Sequence, residues 1–240
     1  MWYSSNVTWN LAFEKPAAMS TVFSNYHPPS KAVNGHLGTH WDYDFCTATK
    51  HGDMEPWWIV DLHGLFLIRD FIITNRGDYL WERLHSFTID VFTQNPVGCP
   101  HATSVQCYNR TDPLGEGETL TLSCHAPVIG RFVRIRKWKM ADKVDILTFC
   151  QVQIAGTRVT GCDATKYLRR KQGIRLISKN VMISDVADII HCLIRCGNSD
   201  DCLALNYNYH DRQCQLISTP NFSDSTLTTS LWDYYGMDMC

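Results

Sequence analysis

Arg76, Asp78 and Arg83 lie close together in the run Ile72–Leu84, with Tyr79 and Trp81 between them. Two guanidiniums offer many N–H donors in a fixed geometry, which suits the vicinal hydroxyls of a polyol, and charged donors make the stronger hydrogen bonds. A carboxylate set between them can hold one guanidinium in place. An aromatic ring beside them can stack on an apolar sugar edge. The plainer alternative is an exposed Arg–Asp–Arg cluster, which is common and adds little stability. Arg76-Gly77-Asp78 is also a literal RGD triplet, which suggests integrin adhesion, although three residues make a weak match.

Other constellations are bland. The chain has no G-x-S-x-G, no H-E-x-x-H, no phosphate-cradling loop and no dinucleotide fingerprint, and its ten histidines are scattered. A binding protein is therefore expected rather than an enzyme. A net charge of −2 gives no bulk electrostatic reason to bind nucleic acid or anionic membrane. In a strand, Arg134 and Arg136 of Gly130–Met140 share a face, giving a modest positive stripe.

Eleven cysteines in 240 residues are the strongest compositional signal. So many in a chain without a metal motif point to an oxidising compartment. Three sequons, at Asn6, Asn109 and Asn221, point the same way, toward a secreted glycoprotein. No apolar run approaches the length of a membrane span. The Met1 end lacks a signal core, so a mature form or a fragment is expected. An odd count leaves one cysteine free or bonded between chains. A zinc site on Cys192, Cys196 and Cys202 with His191 or His210 is the rival reading, but its spacing matches no standard finger.

These residues need elements to position them, and the texture changes near residue 160. Residues 1–160 hold short alternating segments bounded by Gly, Pro, Asn and Asp, as a β-sandwich requires. Strands are expected over Asp70–Asn75, Phe87–Thr93, Thr119–Ser123, Arg131–Arg136 and Gln151–Ala155. Residues 161–240 predict one helix, Val186–Arg195, capped by Ser184, with Val186, Ile189, Ile190, Leu193 and Ile194 at helical spacing. Strand-like pieces flank it at Ile174–Ile177, Ala204–Tyr209 and Gln213–Ile217. Cys192 and Cys196, four apart, share a helical face. The basic cluster Lys166, Arg169, Arg170 and Lys171 reads as a solvated surface, with an acidic glycan as the alternative.

Two family resemblances follow from particular stretches. Asn10–Ser20, Pro56–Leu62 and Ile72–Leu84, completed by Gly130–Arg136 and Leu147–Ile154, resemble an F-type (fucose-binding) lectin domain. The cysteine order of residues 162–240, with two on a helix and then Ser199–Leu216, resembles the PAN/apple fold. The chain is thus expected to be mainly β: a discoidin-like jelly-roll sandwich followed by a small α+β module with one helix on an antiparallel sheet.

The first resemblance implies a sugar site at Arg76, Asp78 and Arg83. Where the family carries a histidine this chain has Ala48, so His51, Tyr79 and Trp81 become the candidates to complete the site. Tyr79-Leu80 replaces the family's two adjacent cysteines. The family's structural calcium would meet Asn34 and Gln151, neutral amides in place of carboxylates, and Phe45 in place of a serine. The resemblances imply the bridges Cys46–Cys150, Cys99–Cys124, Cys162–Cys240, Cys192–Cys214 and Cys196–Cys202. Cys107–Cys124 with Cys99 free is the open alternative. The expected function is recognition of fucosylated or related glycans by a secreted protein, possible as a homo-oligomer. The alternative is an extracellular protein-interaction, adhesion or matrix protein, binding glycoproteins, that has lost sugar and calcium.

Overall fold

The computed structural model describes residues 10–43, 45–99, 101–159, 167–178, 181–199, 202–218 and 225–236. The chain divides into two compact units. One comprises Met1–Leu62, Phe66–Phe92 and Ser104–Thr157, the other His63–Leu65, Thr93–Thr103 and Arg158–Cys240. Among the described residues no helix is long and apolar enough to cross a membrane.

The first unit is sandwich-like and all β. Its strands are β1 (Ala17–Met19), β2 (Thr47–Ala48), β3 (Trp57–Thr74), β4 (Phe87–Phe92), β5 (Ser104–Arg110), β6 (Thr119–Lys137), β7 (Thr148–Phe149) and β8 (Gln151–Arg158). The main sheet runs β1-β3-β6-β4-β5, with β8 also on β3, and β2 pairs with β7 separately. Strands β3 and β6 pair antiparallel through two register shifts. Bulges of this kind bend a strand and strengthen its twist. The short runs expected at Thr119–Ser123 and Arg131–Arg136 are parts of one strand, β6.

Alternation along these strands builds the core. Trp58, Val60, Leu62, Phe71 and Ile73 of β3 meet Ile89 and Val91 of β4, Val133 and Ile135 of β6, and Phe149. Trp58 is fully buried, edge-on to Phe149, and its indole N–H donates to the Pro29 carbonyl. Of the positive stripe expected on β6, one member is paired within the sheet and the other meets an exposed residue outside it. Arg134 pairs with Asp90 at 3.1 Å, and half-exposed Arg136 stands 3.9 Å from Glu55.

Cys46 is joined to Cys150, and Cys107 to Cys124. The Cys99–Cys124 pairing is thereby corrected. The pairing of β4 with β5 steps from Ile89–Tyr108 to Asp90–Gln106, so Cys107 is the bulged residue between them. Freed from the ladder, its side chain is buried in the core, within reach of Cys124 on β6. Cys99 is disulfide-bonded as well, so it is not the free thiol of the alternative.

The second unit has a five-stranded antiparallel sheet, ordered β10-β12-β11-β13-β9. These are β9 (Arg169–Ile177), β10 (Val181–Asp185), β11 (Ala204–Asn208), β12 (Gln213–Ile217) and β13 (Ser225–Gly236). One helix, α1 (Ile189–Asn198), packs on β11 and β12. It begins three residues later than expected because Ser184 is held in β10 opposite Cys214. Asp188 is the cap instead, its carboxylate accepting from the His191 N–H at 3.0 Å. The buried face centres on Cys192 and Cys196, while Ile190 and Ile194 face outward. Cys192 is joined to Cys214 and Cys196 to Cys202, which removes the thiols that a zinc site would use. Cys162 and Cys240 lie outside the described residues. Within the basic cluster, Arg170 is paired with Asp233 at 2.6 Å, and Lys166 lies outside the described residues.

Candidate functional site

The site lies just past the end of β3. Asn75 is buried, and its side-chain amide reaches the carbonyls of Trp81, Leu114 and Gly115 at 2.9–3.1 Å. Its own oxygen accepts from the Arg76 N–H. One buried amide thus ties the loop carrying Arg76–Arg83 to the turn before β6. Gly77 lets the Thr39 segment close over this loop. Its N–H donates to the Thr39 carbonyl at 2.7 Å, and a Cβ there would stand 2.5 Å from Thr39 Oγ1.

Arg76 is 1% exposed. Its Nε donates to Asp78 Oδ1 at 2.6 Å, and Asp78 Oδ2 accepts from the Trp41 N–H at 2.7 Å. The guanidinium lies 4.6 Å from the Trp41 ring and 5.2 Å from the Tyr79 ring, both at cation–π range. Its Nη2 is buried without a hydrogen-bond partner. Arginine and aspartate of the RGD triplet are therefore paired with each other, with Arg76 flanked by the Trp41 and Tyr79 rings, and are not displayed as a protruding RGD loop.

Arg83 is half-buried in a short 3-10 turn, Trp81–Arg83. Burial, and then the like charge of Arg76, lower its pKa. Two guanidiniums, one partly desolvated and one short of a partner, thus repel each other. Lys137 fixes the Arg83 backbone. Its fully buried Nζ donates to the Arg83 carbonyl at 2.6 Å and to Asp145 at 2.7 Å. Burial lowers the Lys137 pKa. Burial alone would raise Asp145, yet hydrogen bonds from Lys137 and the Ala141 N–H hold it below the usual carboxylate range. His85 bridges Asp145 and Ser86, and burial together with Lys137 lowers its pKa. A cavity of about 720 Å³ opens beside Arg83, lined by Leu80, His85, Thr111, Lys139 and Asp142 among others.

The structure brings Arg76, Asp78, Tyr79 and Arg83 together. Tyr79 is 60% exposed and forms an outer wall. Trp81 is half-buried and contributes its carbonyl to Asn75. His51 stands further off. Its Nδ1–H donates to the Val144 carbonyl at 2.7 Å, and its ring abuts Phe23, which in turn abuts Trp41. Ala48 is buried in β2 opposite Thr148. Three ring residues escaped the sequence reading. Trp41 covers Arg76, His27 stacks on Trp41 at 3.6 Å, and His40 Nδ1 stands 3.6 Å from Asp78. The density of aromatics and histidines between Phe23 and Phe45 was the available signal; their convergence on Arg76 depends on chain folding.

The residues at the family's cation position do not fit calcium. Gln151 is buried, and oriented by its neighbours its amide donates to the Ala32 carbonyl and accepts from the Gly35 N–H, each at 3.3 Å. Asn34 Oδ1 is turned onto the His36 N–H at 2.9 Å, and Phe45 stacks on His36. Hard cations take charged or free carbonyl oxygens, and here a neutral amide does the bridging. Among the described residues no group of three or more His, Cys, Asp or Glu side chains converges.

Residues 31–135 match the NedA-like, galactose-binding domain family, and residues 162–240 match the PAN domain. The fucolectin of Anguilla anguilla is 31% identical over 131 residues, covering 52% of this chain and 78% of that protein. Fucolectin-6 of Anguilla japonica is 32% identical over 125 residues, and this chain spans 61% of its length. The crystal structure of an F-lectin from striped bass (Morone saxatilis) serum shares the fold, with a TM-score of 0.56 at 15% identity over 96% of this chain and 93% of that one. The chain belongs to the F-type lectin (fucolectin) family, with a PAN domain following its lectin domain.

Proposed function

We propose that the protein is a secreted lectin, not an enzyme, that binds fucosylated or related glycans through Arg76 and Arg83. The observation that carries this reading is Arg76 Nη2, a charged donor buried without a partner. Leaving such a group unsatisfied costs about 1–3 kcal/mol or more, which a ligand hydroxyl would recover. Asp78 holds the guanidinium in register, Arg83 supplies a second set of donors, and Tyr79 offers a ring for an apolar sugar edge. The bridges that brace both units suit an oxidising extracellular setting. A glycan array comparing wild type with Arg76→Ala and Arg83→Ala tests the reading. Binding to fucosylated glycans that both variants lose supports it; a wild type that binds no glycan on the array sinks it.

A second reading has its own observation. Arg76 is covered by Trp41 and exposed Tyr79, and exposed Tyr43 packs against His40 beside Asp78. A closed site with an aromatic rim suits an extracellular protein-interaction, adhesion or matrix protein that kept the lectin fold. Stoichiometric binding to a glycoprotein that neither free fucose nor enzymatic deglycosylation of the partner weakens would favour this second reading.

A further inference from the structure

Trp138 is 44% exposed, an unusual amount for an indole on a sheet rim. Its backbone N–H is fixed by the Ser86 carbonyl at 2.8 Å, and its Nε1–H donates to Asn109 Oδ1 at 3.1 Å. Asn109 is exposed, opposite Thr88 near the end of β5, and begins the sequon Asn109-Arg110-Thr111. Asn6 and Asn221 lie outside the described residues.

An indole N–H can only donate, so it must face the amide oxygen of Asn109. That orientation turns Nδ2, the atom that takes a glycan, away from the ring nitrogen and leaves it without a partner among the described residues. Arg110 does not crowd it, because its guanidinium is folded onto the carbonyls of Asp112 and Pro113 at 2.8 and 3.1 Å. Thr111 is exposed as well. Strand β5 is also the edge of its sheet, and it bears exposed Val105 beside Ser104 and Gln106. Uncovered edges of this kind template pairing between molecules, and natural proteins block them.

We propose that Asn109 is N-glycosylated and that the exposed Trp138 ring is the shelf on which the first N-acetylglucosamine lies. This rests on the reading that the chain passes through a secretory compartment. Nδ2 forms the bond to the anomeric carbon of a lipid-pyrophosphate-linked oligosaccharide, loses one proton, and the lipid pyrophosphate leaves. The Oδ1 acceptor survives the reaction, so the indole keeps its hydrogen bond while its face meets the apolar side of the sugar. The glycan then projects along β5 and screens the edge.

The test uses the full chain secreted from a eukaryotic cell line. Peptide mass spectrometry with and without an amidase that removes N-glycans should find Asn109 occupied in wild type and in Thr111→Ser, and empty in Thr111→Ala. Trimming to a single N-acetylglucosamine should leave Tm unchanged, and removing that last sugar should lower it by about 2 °C. In Trp138→Ala the same final removal should leave Tm unmoved; Trp138→Phe, which keeps a ring, should retain part of the shift. A chain recovered from the medium with its disulfides formed but Asn109 empty overturns the proposal and leaves the secretory reading standing. An occupied Asn109 with the same shift in Trp138→Ala overturns the shelf. A chain that is never exported removes the secretory reading, and this proposal with it.

Discussion

Gly77 and the His85–Asp145–Lys137 network show how single side chains shape the site. A Cβ at residue 77 would collide with Thr39, which caps the Arg76 loop. Gly77→Ala should therefore destabilise the protein by about 1–3 kcal/mol in denaturant unfolding, as overpacking does. Thr39→Ala in the same chain should recover part of that loss. An unaltered midpoint for Gly77→Ala would show that the loop closes differently. The network predicts a pH response. His85 has a folded pKa below its unfolded value, so its contribution is full above about 6.5 and lost as pH falls below it. Asp145 is also lowered, so its contribution persists to the usual carboxylate range and is lost as pH falls through it. Thermal midpoints measured from pH 8 downward should fall in two steps. His85→Gln should flatten the upper step and leave the lower one.

At the scale of elements, loops are cross-linked to strands by devices of different chemistry. Gln151 on β8 bridges Ala32 and Gly35 with a neutral amide, where the resembling lectins place a cation. Neither chelator nor added calcium should move the wild-type Tm. Gln151→Glu buries an unpaired carboxylate and should lose about 2–4 kcal/mol without calcium, by the cost of an uncompensated charge. A wild-type Tm that falls in chelator would show that an ion, not the amide, holds the loop. The Cys107–Cys124 bridge belongs to the same scale. It depends on a bulge that turns one residue of an edge strand inward.

For the whole molecule, the proposed sugar site sets a modest expectation. Monovalent binding should fall between about millimolar and micromolar Kd, or roughly −4 to −8 kcal/mol. Useful retention on a glycan surface would then come from repeating the site in an oligomer. Calorimetry with a free oligosaccharide, compared with retention on a dense glycan surface, separates the two. Equal apparent affinities in both formats would argue for a single site acting alone.

Much of this was legible in residue order. Alternation in Phe87–Thr93 and Gln151–Ala155 announced strands, because a period of two buries one face of a sheet whatever its partners. Arg76, Asp78 and Arg83 were legible as a group because one short loop carries them. Cys192 and Cys196 were legible as a pair because helical spacing is local. The rest depended on contacts between distant segments. Nothing near Trp41 or His27 announces that they stack over Arg76, since that requires the Thr39 segment to close on Gly77. The family resemblance favoured Cys99 over Cys107 as the partner of Cys124, and only the register shift in β5 that turns Cys107 inward reversed it. Residue order determined which chemistry the Arg76 loop could offer. Tertiary structure decided that Arg76 would be buried with one donor unpaired, because burial is a property of what folds over a residue and not of its neighbours in the chain.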